Sequence, residues 1–438
     1  MTPELLGAFM LLALIVAICA GFPISFTLFV IVGVFGYLGF GTLVFDLMVL
    51  QTVGLAKEEV FAAVPLFIFM GYMTEQSGLM ERLFLAFRLL MAPVRGSLYI
   101  AVILTATIFA MATGIVGAAV TVLGIMAGGP MIRAGYDVRL SAGVITAGGT
   151  LGILIPPSVM LLVMGPVMGV SVAKLYAGAF GPGFLLSALY LAYAMILSYF
   201  KPELGPPLPP EERASSVGEV IREVVLGIVP LGILIFATLG SILAGLATPT
   251  EAAATGAFGA VVLAIGYRRL TWVRLRDAAV KTLETTSMIV LLALGSNMFG
   301  AVFGRLGTAT LVTDWLLSLE ISPFLMLLAL NAIFFLLGWP FEWPAIVLVF
   351  LPILLPIVLA MKYDLVWFGI LIAVNLQTTF LSPPVAMAAY YLKAVVPQWE
   401  LGDIMRGMLA FMILQVVGLL LVMLFPQIAL WLPNRLFP

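Results

Sequence analysis

Three stretches of this sequence hold no charged residue: 41 residues between Glu4 and Asp46, 37 between Arg95 and Arg133, and 34 between Arg139 and Lys174. The surface of a water-soluble domain needs polar side chains on every helix and strand, so such a domain cannot leave gaps of this length. About 20 apolar residues cross a bilayer core, and each gap is longer than that. Of the 438 residues 63% are hydrophobic and only 9% charged, against roughly 25% charged in an average globular chain. The expected fold class is an all-α polytopic protein embedded in a lipid bilayer. Nucleic-acid binding and ordinary soluble enzymology are excluded on the same ground.

Side-chain chemistry narrows the reading further. There is no histidine, and Cys19 is the single cysteine. Imidazole relays, Ser-His-Asp catalysis, thiolate metal cages and intrachain disulfides therefore have no basis. No pair of acids stands at catalytic spacing either, so the chain is not expected to be an enzyme. Cys19 follows an apolar run, but the start carries Glu4 and no basic region, so residues 5–20 are expected to stay as a membrane span.

Ten segments are long enough to cross: 5–20, 22–40, 60–77, 139–168, 175–200, 223–245, 250–267, 284–304, 365–392 and 404–425. Two further apolar stretches resist this reading. Residues 97–132 are interrupted at Ala112-Thr113-Gly114, which leaves arms of about 15 residues, short of a crossing. Residues 323–361 repeat the pattern around Gly338-Trp339-Pro340-Phe341-Glu342-Trp343-Pro344. Both are expected to be re-entrant hairpins with small tips. Met80–Arg95 and Arg305–Pro323, before each hairpin, mix apolar residues and charges at helical spacing and fit interface-plane helices. Arg268–Lys281 is expected to be a basic cytoplasmic anchor.

Basic residues near span ends stay cytoplasmic. With the N-terminus outside, Arg82, Arg139, Arg268, Arg269 and eleven other Lys or Arg fall inside, against Lys57, Lys174, Arg305, Lys362 and Arg435 outside. The first hairpin then opens from the cytoplasm and the second from the opposite face.

The chain also repeats itself. Tyr136-Asp137 recurs as Tyr363-Asp364 and Pro156-Pro157 as Pro383-Pro384, both at an offset of 227, while Pro23 matches Pro249 at 226. Each half holds five spans and one hairpin, and an odd number of spans turns the second half upside down, as in inverted-repeat secondary transporters. The expected organisation is a first repeat at 1–200, a polar, Pro-rich cytoplasmic linker at 201–219 (KPELGPPLPPEER within it) and a second repeat at 220–438.

A proline inside a helix withholds its own N–H from the carbonyl four residues earlier. Pro156 and Pro157 thus release the carbonyls of Gly152 and Ile153, and Pro383 and Pro384 those of Thr379 and Phe380. Open carbonyls at membrane depth are costly unless something binds them. A broken helix beside a hairpin tip is a credible Na⁺ site, with Thr113 or Gly338 completing it. An anionic substrate suits the point where the tips meet, because helix N-termini present free N–H groups. Polar candidates there are Thr113, Thr150, Ser158, Asn375, Gln377, Thr378 and Ser382, with Glu342 as ion ligand, proton site, gate or structural acid. Glu251 is expected to be a helix N-terminal charge.

VPLFIFMGYMTEQSGLMERLF (64–84), RAGYDVRLSAGVITAGGTLGILIPPSVM (133–160), LATPTEAAA (246–254), LGWPFEWPAIVLVFLPILLPIV (337–358) and TTFLSPPVAM (378–387) resemble the large membrane subunit of tripartite ATP-independent periplasmic (TRAP) transporters. The resemblance covers essentially the whole chain. It implies a permease of the bacterial inner membrane that imports an organic acid anion by Na⁺ symport. It further implies a small four-helix membrane subunit and a periplasmic substrate-binding protein as partners, and an elevator mechanism. In that mechanism both hairpins and the broken helices 139–168 and 365–392 move as a transport domain against a scaffold. Position by position, it puts one Na⁺ at Thr113, Gly152, Ile155 and Pro157 and another at Gly338, Thr379, Ser382 and Val385. The first tip departs from the family: Thr113-Gly114-Ile115-Val116 stands where a Ser-rich turn is commoner. A single-component Na⁺-coupled dicarboxylate carrier of related fold is the nearest alternative.

Overall fold

The computed structural model describes residues 2–214, 216–383 and 385–437. Pro384, the last member of the second proline pair, lies outside the described residues, as does the side chain of Thr113. Among the described residues all regular structure is helical. The first half runs α1 (Pro3–Cys19), α2 (Ile24–Phe40), α3 (Leu43–Ala56), α4 (Val60–Gln76) and α5 (Leu79–Met91). Next come a hairpin of α6 (Ser97–Thr113) and α7 (Val116–Arg133), a broken helix of α8 (Val138–Thr150) and α9 (Val159–Met168), and then α10 (Val172–Phe200). The second half opens with α11 (Val217–Leu243) and α12 (Pro249–Gly266), followed by α13 (Trp272–Arg305) and α14 (Thr308–Leu317). Its hairpin is α15 (Pro323–Leu337) with α16 (Trp343–Ala360), and its broken helix α17 (Leu365–Leu381) with α18 (Met387–Val395). It ends in α19 (Leu401–Leu424) and α20 (Gln427–Leu436).

The order α1 to α10 recurs as α11 to α19, with α3 and α4 fused into α13. Matching helices keep matching starts. Asp137 and Asp364 each cap their helix through a side-chain oxygen, accepting from Leu140 N at 2.7 Å and Trp367 N at 2.9 Å. The tyrosines beside them tie each hairpin to its broken helix. The Tyr136 hydroxyl accepts from Leu98 N at 3.3 Å at the start of α6, and the Tyr363 hydroxyl donates to the Pro323 carbonyl at the start of α15. The repeated Tyr-Asp thus starts hairpin and broken helix on one level.

Seven helices among the described residues are long and apolar enough to cross a bilayer, and α7 and α16, at 18 residues each, are among them. The hairpin arms are therefore longer than the expected 15 or so residues. Their tips at Gly114 and Gly338 abut the interruptions of the broken helices.

Four elements differ from expectation. α3 fills residues that carry no span in the sequence reading; it lies on α2 and α13 and exposes Leu43, Phe45, Val49 and Leu50. The basic segment Arg268–Lys281 is continuous with a long helix, since from Trp272 on it forms the first turns of the 34-residue α13. The linker is strapped down: Gly96 N donates to Gly205 O at 2.8 Å, Leu208 N to Ala92 O at 3.2 Å and Asp137 N to Leu204 O at 3.1 Å. α20 follows the last expected span and packs on α10, where a Cβ on Gly181 would lie 1.9 Å from the Ile428 carbonyl oxygen. Glu251 does sit at a helix start, in a capping box with Thr248.

The broken helices are the core of the molecule. Residues 140–165 and 368–382 are buried without interruption, whereas α1 to α3 present bulky apolar side chains outward. In lipid, helices associate by close packing of small residues more than by water expulsion. α8 and α19 show it: a Cβ on Gly407 would lie 2.0 Å from the Arg139 carbonyl oxygen, and one on Gly143 2.4 Å from the Phe411 ring. Gly407→Ala should therefore push these helices apart at a cost of about 1–3 kcal/mol. Its detergent-solubilised melting temperature should fall clearly; an unchanged melt would show that the contact gives way without strain.

Candidate functional site

Each hairpin tip touches its own broken helix, the first at the backbone and the second at the Thr379 side chain. Gly114 turns through the left-handed region (φ 63°), which favours glycine. A Cβ there would lie 3.7 Å from the Pro157 carbonyl oxygen, and a Cβ on Gly152 would lie 3.7 Å from Ile115 N. In the second half a Cβ on Gly338 would lie only 2.2 Å from Thr379 Cγ2, so residue 338 must lack a side chain for the tip to dock.

At the first break the helix ends at Thr150, tightens over Leu151–Ile153 and resumes at Val159. Pro156 and Pro157 bring no N–H to this stretch. The Ile153 carbonyl is not open as the proline argument expects, because the Ser158 hydroxyl donates to it. Ser158 thereby serves the backbone, and its oxygen also caps α9 through Leu161 N at 3.4 Å. Ile155 N returns to Leu151 O at 2.9 Å, and its side chain packs against Gly183. Gly152 and Pro157 remain the backbone groups facing the tip.

At the second break α17 ends at Leu381. Ser382 N donates to Thr378 O at 2.8 Å, Ser382 O accepts from Ala386 N at 3.0 Å, and Ala386 takes a left-handed conformation (φ 39°) unusual for a residue with a Cβ. The Thr379 hydroxyl donates to Leu376 O at 2.8 Å. The Ser382 hydroxyl is buried and has no hydrogen-bond partner among the described residues. Val385 is half-buried in the same turn. Gly338 and Thr379 meet at this junction, and Ser382 closes α17 three residues beyond Thr379.

A cavity of about 130 Å³ lies between the two tips. Gly114–Gly117 wall one side and Glu342–Pro344 the other, with Ile153, Val159 and Phe380 from the breaks and Thr285, Met288 and Ile289 from α13. A second cavity of about 560 Å³ adjoins it and shares Met288, Glu342 and Pro344. Of the expected substrate contacts whose side chains are described, Glu342 lines these spaces. Thr150, Ser158, Asn375 and Gln377 do not; all four are buried and bonded within the protein.

The bonds of Thr150 cross between the two repeats. The Thr150 hydroxyl shares its proton between Ala147 O at 2.8 Å and Gln377 Oε1 at 3.1 Å and accepts from Gln415 Nε2 at 3.1 Å, joining α8, α17 and α19. Thr150 and Gln377 are themselves 227 residues apart and so occupy equivalent places in the two halves. Asn375 Nδ2 donates to Asn331 O at 2.7 Å, fastening α17 to the hairpin arm α15. Sequence reasoning misses Asn331 and Gln415, although each is a lone amide inside an otherwise apolar run. It also misses Tyr391, whose ring lies 3.2 Å from where a Gly117 Cβ would stand, and Thr285, which bonds Tyr72 at 3.2 Å. For these two no sequence signal exists, because their helices reach the cavity only through the tertiary fold.

With this geometry in hand, comparison with known proteins is specific. The model of the "Tripartite ATP-independent periplasmic transporter, DctM component" family matches residues 9–428. The sialic acid TRAP transporter large permease protein SiaM of Vibrio cholerae is 30% identical over 423 residues, covering 95% of each chain. The C4-dicarboxylate TRAP transporter large permease protein DctM of Pseudomonas aeruginosa is 29% identical over 384 residues, 87% of this chain and 88% of that one. The crystal structure of the Alcanivorax borkumensis YdaH transporter superposes with a TM-score of 0.66 at 16% identity, covering 99% of this chain and 100% of that one, which is a likeness of fold.

Because Thr150 and Gln377 bond directly across the halves, Thr150→Ala and Gln377→Ala should not be additive. A double-mutant cycle on unfolding in detergent should give a coupling of about 0.5–1.5 kcal/mol. Strict additivity would mean that the contact contributes nothing to holding the repeats together.

Proposed function

The chain belongs to the DctM component family of tripartite ATP-independent periplasmic transporters, and on that premise we propose that it is the Na⁺-coupled translocating subunit for an organic acid anion in the bacterial inner membrane. The observation that carries this reading is the docking of each tip on an interrupted helix, with the partnerless Ser382 hydroxyl at the second junction. One Na⁺ would sit among Thr113, Gly152, Ile155 and Pro157, and the other among Gly338, Thr379, Ser382 and Val385. Each ion would satisfy backbone oxygens that the prolines leave without an N–H, and would hold tip and break together. The substrate anion would enter the cavity between the tips, beside the first-turn N–H groups of α7.

Ion binding of this kind couples to substrate because both depend on the same tips: an ion that fixes a tip completes the wall of the cavity, and a seated anion is stabilised by the nearby positive charge. The moving unit would comprise both hairpins and the two broken helices, joined by the Thr150–Gln377 and Asn331–Asn375 bonds. α19, which Gln415 and the Gly407 contact fasten to α8, would travel with them, and α1 to α3, with their outward apolar faces, would belong to the scaffold. The second repeat would stand inverted relative to the first, as its odd span count requires. A small four-helix membrane subunit and a periplasmic binding protein would complete the carrier.

Reconstitution in proteoliposomes tests this. Uptake of the cognate acid should need all three components and an inward Na⁺ gradient. Ser382→Ala removes a hydroxyl that makes no protein bond, so it should leave folding nearly intact while raising the Na⁺ concentration for half-maximal uptake about tenfold. Uptake by this chain alone would contradict the tripartite assembly, and unaltered Na⁺ activation in the variant would remove Ser382 from the ion site.

A further inference from the structure

A polar hollow lies away from both junctions, where α5, α11 and the end of α12 meet. It is a cavity of about 290 Å³, and Arg82, Arg222 and Arg269 reach it from three different elements, with Glu81 and Glu223 beside them. The frame is tight: a Cβ on Gly227 of α11 would lie 3.2 Å from the Arg82 carbonyl oxygen. One set of charges is used internally, since Arg82 Nη1 stands 3.7 Å from Glu223 Oε2 and its guanidinium covers the Tyr267 ring at 5.3 Å. The side chains of Arg222, Arg269 and Glu81 make no ion pair or hydrogen bond among the described residues. Gly78 opens the floor between two of them. It turns through the left-handed region (φ 75°), and a Cβ there would lie 3.5 Å from Arg269 Nε and 3.8 Å from Glu81 Oε2. Opposite charges thus flank one point without closing on each other.

An apolar path leads from this hollow into the bilayer. Arg268, Arg269, Arg274 and Arg276 gather at this end of α12 and α13, the side that positive-inside bias gives to the cytoplasm. From Arg222 a stripe of exposed apolar side chains, Val225, Val229, Ile233 and Phe236, follows one face of α11 at helical spacing. Between Arg222 and Phe236 the helix rises about 21 Å, more than the ~15 Å half-thickness of a bilayer core. Two free guanidiniums suit a phosphate, which they hold through paired N–H bonds. One free carboxylate suits a cation that donates N–H bonds, and the stripe suits an acyl chain. Basic pockets between membrane helices take lipid headgroups in this way. We infer that the cavity binds a phospholipid of the phosphatidylethanolamine type, with its phosphodiester on Arg222 and Arg269, its primary ammonium on Glu81 and a chain along α11. Phosphatidylglycerol brings no cation to Glu81, and phosphatidylcholine brings one without an N–H. The bound lipid ties α11 to α5, the helix that also packs on the hairpin arm α6.

Native mass spectrometry tests this on the full-length chain, delipidated in detergent and titrated with phosphatidylethanolamine, phosphatidylglycerol or phosphatidylcholine of equal chain length. The first should bind at least about tenfold more tightly than either of the others. Arg222→Gln combined with Arg269→Gln should weaken its binding about tenfold or more. Glu81→Gln should erase its advantage over phosphatidylglycerol without weakening the latter. Equal binding of the three lipids, a preference for phosphatidylglycerol, or a preference that these variants leave untouched overturns the inference. Short-chain phosphatidylethanolamine should compete at least about tenfold better than glycerophosphoethanolamine, which has the headgroup and no chains. Equal competition would assign the cavity to a soluble phosphoethanolamine and overturn the lipid. Glu81→Gln removes a group that makes no protein bond, so it should keep the fold, and it decides alone if the arginine variant does not fold. The carrier reading stands under every one of these results.

Discussion

Interrupting a helix inside a membrane is expensive, because the carbonyls left behind have no water to turn to. This molecule interrupts two, at the very centre of its buried core, and the rest of the architecture follows from how those interruptions are covered. Each is met by a hairpin that stops at the same depth, and the meeting is close enough that residues 114, 152 and 338 carry no side chain. Part of the released backbone is satisfied internally, as where Ser158 takes the Ile153 carbonyl. What is left over, together with the Ser382 hydroxyl, is the polar capacity available to an ion.

The same demand explains the polar side chains in so apolar a core. A buried amide at membrane depth is tolerated when it is bonded, and here the bonds run between elements that must keep their relative positions: Thr150 to Gln377 and Gln415, and Asn375 to Asn331. These contacts make the two broken helices one body. Residues first attractive as substrate contacts are thus better described as the frame that holds the cavity, whose own lining is mostly apolar and backbone.

The fold was legible wherever the sequence departs from uniform hydrophobicity. Charge gaps marked outward apolar helices and buried ones alike, Pro and Gly marked breaks and tips, and the recurrence of Tyr-Asp and Pro-Pro exposed the repeat, whose meaning is now physical: Tyr levels the hairpin and Asp caps the helix. Where the chain is uniformly apolar, sequence reasoning had nothing to divide. α3, with Asp46 and Gln51 in an otherwise apolar stretch, reads as a connection, and the basic start of α13 as an anchor, because continuity of a helix across a membrane surface leaves no mark in composition. The cavity residues Thr285 and Tyr391 were likewise invisible, since they reach their places only through packing of distant segments.

The central claim is that the junctions of tip and break are ion sites, and a density map tests it without reference to transport. A cryo-EM map of the chain in lipid and Na⁺, at a resolution that shows ordered ions, should hold a compact density at the second junction touching Ser382 Oγ and backbone oxygens of Gly338 and Thr379. That density should vanish when Na⁺ is replaced by choline. A junction that is empty in both conditions, with the Ser382 hydroxyl bonded to a protein group, would contradict the account.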